Sequence, residues 1–202
     1  MRPSFFPVPV LLLSLAAPSV AQQTVGAPAG NFRLTDATGK AVALSDYKGR
    51  MVVMEWHNPG CPFVRKHYDS GNMQKTQAMA KAAGAAWLTI NSGAPGKQGH
   101  MTPAQARAQL AKDKASPTAY LLDPKGAVGR GYAAKTTPHL YVVAPDGRLA
   151  YQGGIDDRPT ANPADIAGAR NHVMAAVAEV KAGKKVSVAE TRPYGCSVKY
   201  AE

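Results

Sequence analysis

The chain has 202 residues, 45% of them apolar, with 24 Lys and Arg against 13 Asp and Glu. That much apolar material suits one domain with a packed core and excludes a disordered polyelectrolyte. The formal charge of +11 is scattered, with Arg65-Lys66 and Lys184-Lys185 as its longest local pairs and no basic stripe interleaved with aromatics, so it describes a solvated basic surface and no nucleic-acid partner.

The chain opens with Arg2, an apolar run over residues 8–17, and the small-residue sequence Ser19-Val20-Ala21. This is the pattern of a secretory signal peptide over residues 1–21, with cleavage expected after Ala21. Its apolar core is too short for a bilayer of ~30 Å, which takes about 20 helical residues. No cysteine follows closely to carry a lipid, and no later segment is long and apolar enough to span. The expectation is an exported protein, periplasmic or secreted, with no integral membrane segment after cleavage. In that oxidising setting the two cysteines, Cys61 and Cys196, tend to end as a disulfide, although a domain of this size folds without one.

Residues 22–31 are polar and rich in Gly, Ala and Pro, which predicts a flexible lead-in. Phe32-Arg33-Leu34 and Ala41-Val42-Ala43-Leu44 alternate around Gly39 and predict a β-hairpin. Met51-Val52-Val53-Met54-Glu55-Trp56 reads as a strand buried on both faces. After the break at His57-Asn58-Pro59-Gly60, residues Val64, Tyr68, Met73, Met79 and Ala83 predict one helical face, with Gly71 as a kink point. Ala85-Ala86-Trp87-Leu88-Thr89-Ile90 is a second core strand. Thr102-Pro103 opens a helix to about Lys114, with Thr102 as N-cap. Residues 118–122 are a third strand, 123–132 a short helix or turn, and 139–143 a fourth strand. Pro145-Asp146-Gly147-Arg148 turns the chain into an antiparallel return over 149–151. Residues 164–182 read as the last helix. The order predicts an α/β domain over residues 22–183, a mixed central sheet with helices on both faces, followed by a tail over 184–202 that carries Cys196.

Cys61 sits where a buried strand gives way to a helix, and Pro62 suits the first helical turn. Unpaired N–H groups and the positive dipole end there favour a thiolate over a thiol. Arg65, Lys66 and His67 follow and add positive charge, with Arg65 and Pro62 as the expected supports of the thiolate. The same position also suits a buried, inert cysteine, and position alone does not separate the two.

Val52-Val53-Met54-Glu55-Trp56 followed by Cys61-Pro62-Phe63-Val64 resembles the active-site strand and turn of the thioredoxin superfamily. Thr136-Thr137-Pro138-His139-Leu140-Tyr141, followed by Asp146-Gly147-Arg148, resembles its cis-proline strand and closing hairpin. The hairpin over residues 32–49 is similar to the redoxin branch, which includes AhpC/TSA proteins and exported TlpA-like reductants. The resemblance implies a thioredoxin-like fold, a cis peptide before Pro138, and a Thr137 that offers its backbone to a substrate. Two positions depart from it. Where thioredoxin-type reductants carry a second cysteine, this chain has Val64. Where peroxiredoxins carry Pro and Thr or Ser, it has Met54 and Asn58.

Cys196, in Arg192-Pro193-Tyr194-Gly195-Cys196-Ser197, is the candidate for the missing thiol. A redox-active pair, a structural staple and an unpaired cysteine all stay open, and the staple would close a long loop worth on the order of 5 kcal/mol. With few apolar residues, the tail is expected to be held mainly by such a bridge. Glu55, inside the strand, suits either a buried proton acceptor or an edge carboxylate. His57, Cys61, His67 and His139 are soft-ligand types, but the close cysteine pair of copper-handling relatives is missing, and no metal or other cofactor is expected. The expected activity is thiol-disulfide exchange through Cys61 with Cys196 resolving, on a thiol or disulfide-bearing protein, with an external reductant. The alternatives are a thiol peroxidase acting on peroxide at Cys61 and a copper-handling module on the same fold.

Overall fold

The computed structural model describes residues 23–202; the signal-peptide segment expected over residues 1–21 lies outside them. The hairpin forms as β1 (Arg33–Asp36) and β2 (Ala41–Ala43), turning at Gly39 with φ +94°. A 3-10 turn over Leu44–Tyr47 leads into β3 (Val52–Trp56), which is buried at every position. The β4 strand (Ala86–Asn91) runs parallel to β3, and β5 (Ala119–Leu122) runs parallel to β4. On the other side of β3, β7 (His139–Val143) pairs antiparallel, and β8 (Leu149–Gly153) pairs antiparallel to β7. The seven strands lie in the order β2-β1-β5-β4-β3-β7-β8, a mixed sheet of the expected kind.

Alternation along β3 sorts the two cores. Val53 joins Trp87, Leu140 and Val142 on one face, against Val64, Tyr68, Met73, Val173 and Val177 of the helices. Val52, Met54 and Trp56 join Leu88, Ile90 and Tyr141 on the other, against Leu44, Tyr132 and Val128. Burying both faces is what the unbroken apolar run 51–54 requires.

Several expectations are corrected. The helix after Cys61 is two helices, α1 (Pro62–Asp69) and α2 (Asn72–Ala82), parted at Gly71 with φ +76°. Met73 and Met79 both lie in α2, six residues and so about 120° apart around the helix, which leaves Met73 buried and Met79 46% exposed. Next come α3 (Pro103–Asp113), capped by Thr102 as expected, with Gln105 completing a capping box, and the short α4 (Ala127–Gly131). The last helix, α5 (His172–Lys181), starts later than the sequence suggests. Pro163–Gly168 forms a separate 3-10 turn, and the Asn171 side chain caps α5 by accepting from the Met174 N–H. The lead-in is not loose: the Gly26 N–H donates to the Leu149 carbonyl and the Leu149 N–H to the Ala27 carbonyl.

The largest difference is the tail. It is seated with both cysteines as free thiols, so no bridge holds it. The Thr191 N–H donates to the Gln152 carbonyl, and the Ala94 N–H donates to the Lys199 carbonyl. Val186 is buried in the first core, and Val198 packs on the second. Cys196–Ser197 form β9, which pairs antiparallel with β6 (Thr136–Thr137) in a separate two-stranded sheet.

Candidate functional site

The end of β3 builds the site. The His57 N–H donates to the Ile90 carbonyl and holds the chain on β4. Asn58 then makes a turn: its carbonyl accepts from the Cys61 N–H at 3.1 Å, and its side chain accepts from the Gly60 N–H at 2.9 Å. Cys61 is the N-cap of α1, with extended φ −83° and ψ 123°, and Pro62 occupies the first turn. Pro is tolerated there because that N–H has no helical partner. Cys61 is wholly buried.

Three segments meet at the Cys61 sulfur, the N-terminus of α1, β6 and β9. Its thiol donates to the Thr137 carbonyl at 2.9 Å. The Thr137–Pro138 peptide is cis, as the resemblance implied. Thr137 is paired in register with Cys196. Burial pushes the Cys61 thiol up, but hydrogen bonds from Cys196 and Thr137 side chains and from the Cys196 and Val64 N–H groups outweigh it. The net result is a pKa below the ordinary value. Cys196, half-buried, moves the opposite way: burial and the neighbouring Cys61 sulfur push it up to about 11. One sulfur is thus biased toward thiolate and the other toward thiol, the polarity a nucleophile and its proton-bearing partner need.

The charged residues after Cys61 are turned elsewhere. Arg65 forks onto Asp113 at 2.8 and 3.0 Å and also pairs with Asp69. Lys66 is buried, donating to the Arg158 carbonyl at 2.8 Å and lying 4.0 Å from Asp156. Burial lowers His67 to about 4, so it is neutral, with Nε2 3.2 Å from the Tyr194 hydroxyl. The groups that set the acidity of Cys61 are the helix N-terminus, Thr137 and Cys196.

Glu55 is completely buried. It accepts from the Tyr68 hydroxyl at 2.9 Å, the Trp87 indole N–H at 3.0 Å and the Thr89 hydroxyl at 3.2 Å. Burial raises it to about 7 against those donors. His57 bonds Tyr120 at 2.9 Å and His139 lies 3.2 Å from the Tyr141 hydroxyl, each on its own partner. Among the described residues, no three His, Cys, Asp or Glu converge to hold a metal ion, and no helix is long and apolar enough to cross a membrane.

Sequence reasoning missed the cluster under the tail. The Tyr194 ring meets Phe63 edge-on at 5.9 Å, lies 5.6 Å from the Lys66 ammonium, and donates its hydroxyl to Asp156. The one local signal is an aromatic residue two positions before Cys196.

A family model described as the AhpC/TSA family matches residues 25–152. A search of curated proteins found no match. Among solved structures, a hypothetical protein of Sinorhizobium meliloti superposes with TM-score 0.74 at 26% identity, covering 90% of this chain and 97% of that one. An uncharacterized protein of Geobacillus kaustophilus gives 0.74 at 24%, covering 88% and 93%. A protein assigned as the thiol:disulfide interchange protein DsbE of Chlorobium tepidum gives 0.53 at 27%, covering 65% and 85%. The fold these chains share is thioredoxin-like.

Proposed function

The chain belongs to the AhpC/TSA family, and on that footing we propose that it is an exported thiol-disulfide oxidoreductase in which Cys61 attacks and Cys196 resolves. The Cys61 thiolate attacks one sulfur of a substrate disulfide. A bond forms between Cys61 and that sulfur, and the second substrate sulfur leaves as thiolate. Cys196 then gives up its proton and attacks the Cys61 sulfur. The first substrate sulfur leaves, and a Cys61–Cys196 disulfide remains. An external dithiol reductant returns both to thiols and is itself oxidised to a disulfide. Thr137 positions the substrate through its backbone, and the cis-Pro138 turn fixes that backbone beside Cys61.

The observation that carries this function is the backbone of Thr137, which accepts from the Cys61 thiol at 2.9 Å and pairs in register with Cys196, so that two free thiols with opposite shifts in acidity share one place. Similarity to the DsbE-type protein supports a thiol or disulfide substrate, and the leader expected over residues 1–21 supports export. The tail's own hydrogen bonds to Gln152, Ala94 and Lys135, made with both thiols free, support a redox pair over a staple.

The test is redox titration with mass mapping of the oxidised pair. A reversible Cys61–Cys196 linkage is expected near the potential of thioredoxin, about −270 mV, and above the range below about −300 mV of structural bridges. A linkage that resists reduction far below that value, or none at all, defeats the proposal. Peroxide consumption is expected to be slow, because Met54 and Asn58 stand where peroxidases use Pro and a hydroxyl residue.

A further inference from the structure

Once Cys61 carries a substrate sulfur, that sulfur takes the place of the Cys196 thiol, so Cys196 has to step aside and then return. The pairing of β6 with β9 is a weak tether for that return. Each strand is two residues long, and their sheet stands apart from the central one. A thiol that drifts free with the tail loses the advantage of being held beside its target. Something else has to keep the root of the tail in place.

Tyr194 is bound to the helix that Cys61 caps. Its ring meets Phe63 and the Lys66 ammonium, both on α1. Its hydroxyl donates to Asp156, whose side chain is 2% exposed. The Asn72 amide nitrogen donates to His67 Nδ1 at 2.8 Å, so the neutral ring carries its proton on Nε2, which donates to the Tyr194 oxygen at 3.2 Å. Burial and Asp156 push the Tyr194 hydroxyl up, so it keeps the proton it donates. The hydrogen bonds of the two sulfurs go elsewhere, to Thr137, Val64 and each other. A substrate on Cys61 can thus displace the Cys196 thiol and leave the contacts of Tyr194 intact. Between the two stands Gly195 at φ +134°, pressed so closely on the Thr137 carbonyl oxygen that a Cβ would collide with it. A glycine there lets the chain turn where another residue would be strained.

We propose that Tyr194 is the positioning residue of the resolving step: it stays docked on α1 and Asp156 while Cys61 carries the substrate, and Cys196 turns about Gly195 out of the way and back. The tail is then an arm with a fixed root, a pivot and a thiol in three successive residues. The inference rests on Cys61 attacking and Cys196 resolving, and adds what keeps the second thiol within reach of the first.

The test is a single turnover of the full chain with one equivalent of dithiobis-nitrobenzoate, followed by the absorbance of the thiolate it releases. Cys61 attacks one sulfur of the reagent, and the first thiolate leaves. Cys196 attacks the Cys61 sulfur, the second thiolate leaves, and the Cys61–Cys196 disulfide is identified by mass. The unaltered chain is expected to release both thiolates of each reagent molecule in two phases. Tyr194→Phe keeps the ring and deletes the hydroxyl. It should slow the second phase about tenfold, the worth of a hydrogen bond to a buried carboxylate, and leave the first phase as fast or faster. The mixed disulfide at Cys61 should accumulate in the meantime. Tyr194→Ala should slow the second phase further; if circular dichroism shows that variant unfolded, Tyr194→Phe alone decides. Slowing of neither phase means that the β6–β9 pairing by itself returns Cys196, and overturns the proposal. Slowing of both makes Tyr194 a residue of the fold only, and overturns it too. Release of one thiolate per reagent molecule by the unaltered chain sinks the resolving role of Cys196 itself, a failure distinct from that of Tyr194.

Discussion

The sulfur of Cys61 lies 2.9 Å from the carbonyl oxygen of Thr137, the residue that pairs with Cys196 across β6 and β9. That carbonyl favours the protonated thiol, since it can only accept. The Cys196 thiol and the N–H groups of Cys196 and Val64 favour the thiolate, and the balance falls below the ordinary cysteine pKa. Removing the Cys196 thiol takes away the largest stabilising donor. Cys196→Ala is therefore expected to raise the midpoint of Cys61 alkylation against pH. A midpoint that stays put would show that the helix N-terminus alone sets the acidity.

Arg65 gives the complementary test. Its guanidinium is held by Asp113, which is 3% exposed, and by Asp69. Arg65→Met should leave the Cys61 midpoint where it is. It should lower stability by about 1–3 kcal/mol, because Asp113 loses its charged partner in a buried place. Urea unfolding and pH-dependent alkylation of the same variant measure both. A shifted midpoint would restore Arg65 as a support of the thiolate.

These residues also show where the sequence stops being legible. The strands β3, β4 and β7 are plain in the chain because an apolar run bounded by turn residues has few other ways to be buried. Thr102 announces α3 because its cap is made by residues within one turn. Lys66 is different. Next to Arg65 it reads as surface charge, and buried lysines are rare. Its burial depends on Arg158, Asp156 and Tyr194, all distant in sequence. The tail fails for the same reason. Only the strand at Thr136–Thr137, whose Thr137 pairs with Cys196 across 59 residues of sequence, tells Cys196 that it is in a sheet. Gly71 is visible as a kink point, but that the chain breaks there into two helices follows from its left-handed backbone.

Glu55 predicts a pH dependence. Burial lifts its carboxyl to about 7, from 4.5 for the free side chain. Between those values the folded chain holds a proton that the unfolded chain has released. Its contribution is therefore full below pH 4.5 and is lost as pH rises to 7. A shift of that size is on the order of 3 kcal/mol. Glu55→Gln should flatten this part of the stability profile, measured by urea unfolding from pH 4.5 to 7. An unchanged slope would mean that Glu55 is ionised in the fold, with its three donors outweighing burial.

The histidines act in the opposite direction over nearly the same range. Burial lowers His57 and His67 to about 4 and His139 to about 3, from 6.5. Asp113 and Asp156 pull the first two back only in part, and Lys135 lowers the third further. All three are neutral in the fold, whereas the unfolded chain protonates them as pH falls through 6.5. Their contribution is thus full above 6.5 and is lost as pH falls toward 4. Three bases oppose one acid, so the histidines win by about two protons, or about 2.7 kcal/mol per pH unit at most. Stability should peak near neutrality and fall steeply on acidification, despite the gain from Glu55. His57→Gln keeps a side chain able to bond the Tyr120 hydroxyl and should remove about one proton from the slope. A stability profile that is flat between pH 4.5 and 6.5 would show that these imidazoles take up protons within the fold and that the sealed core around them opens to water.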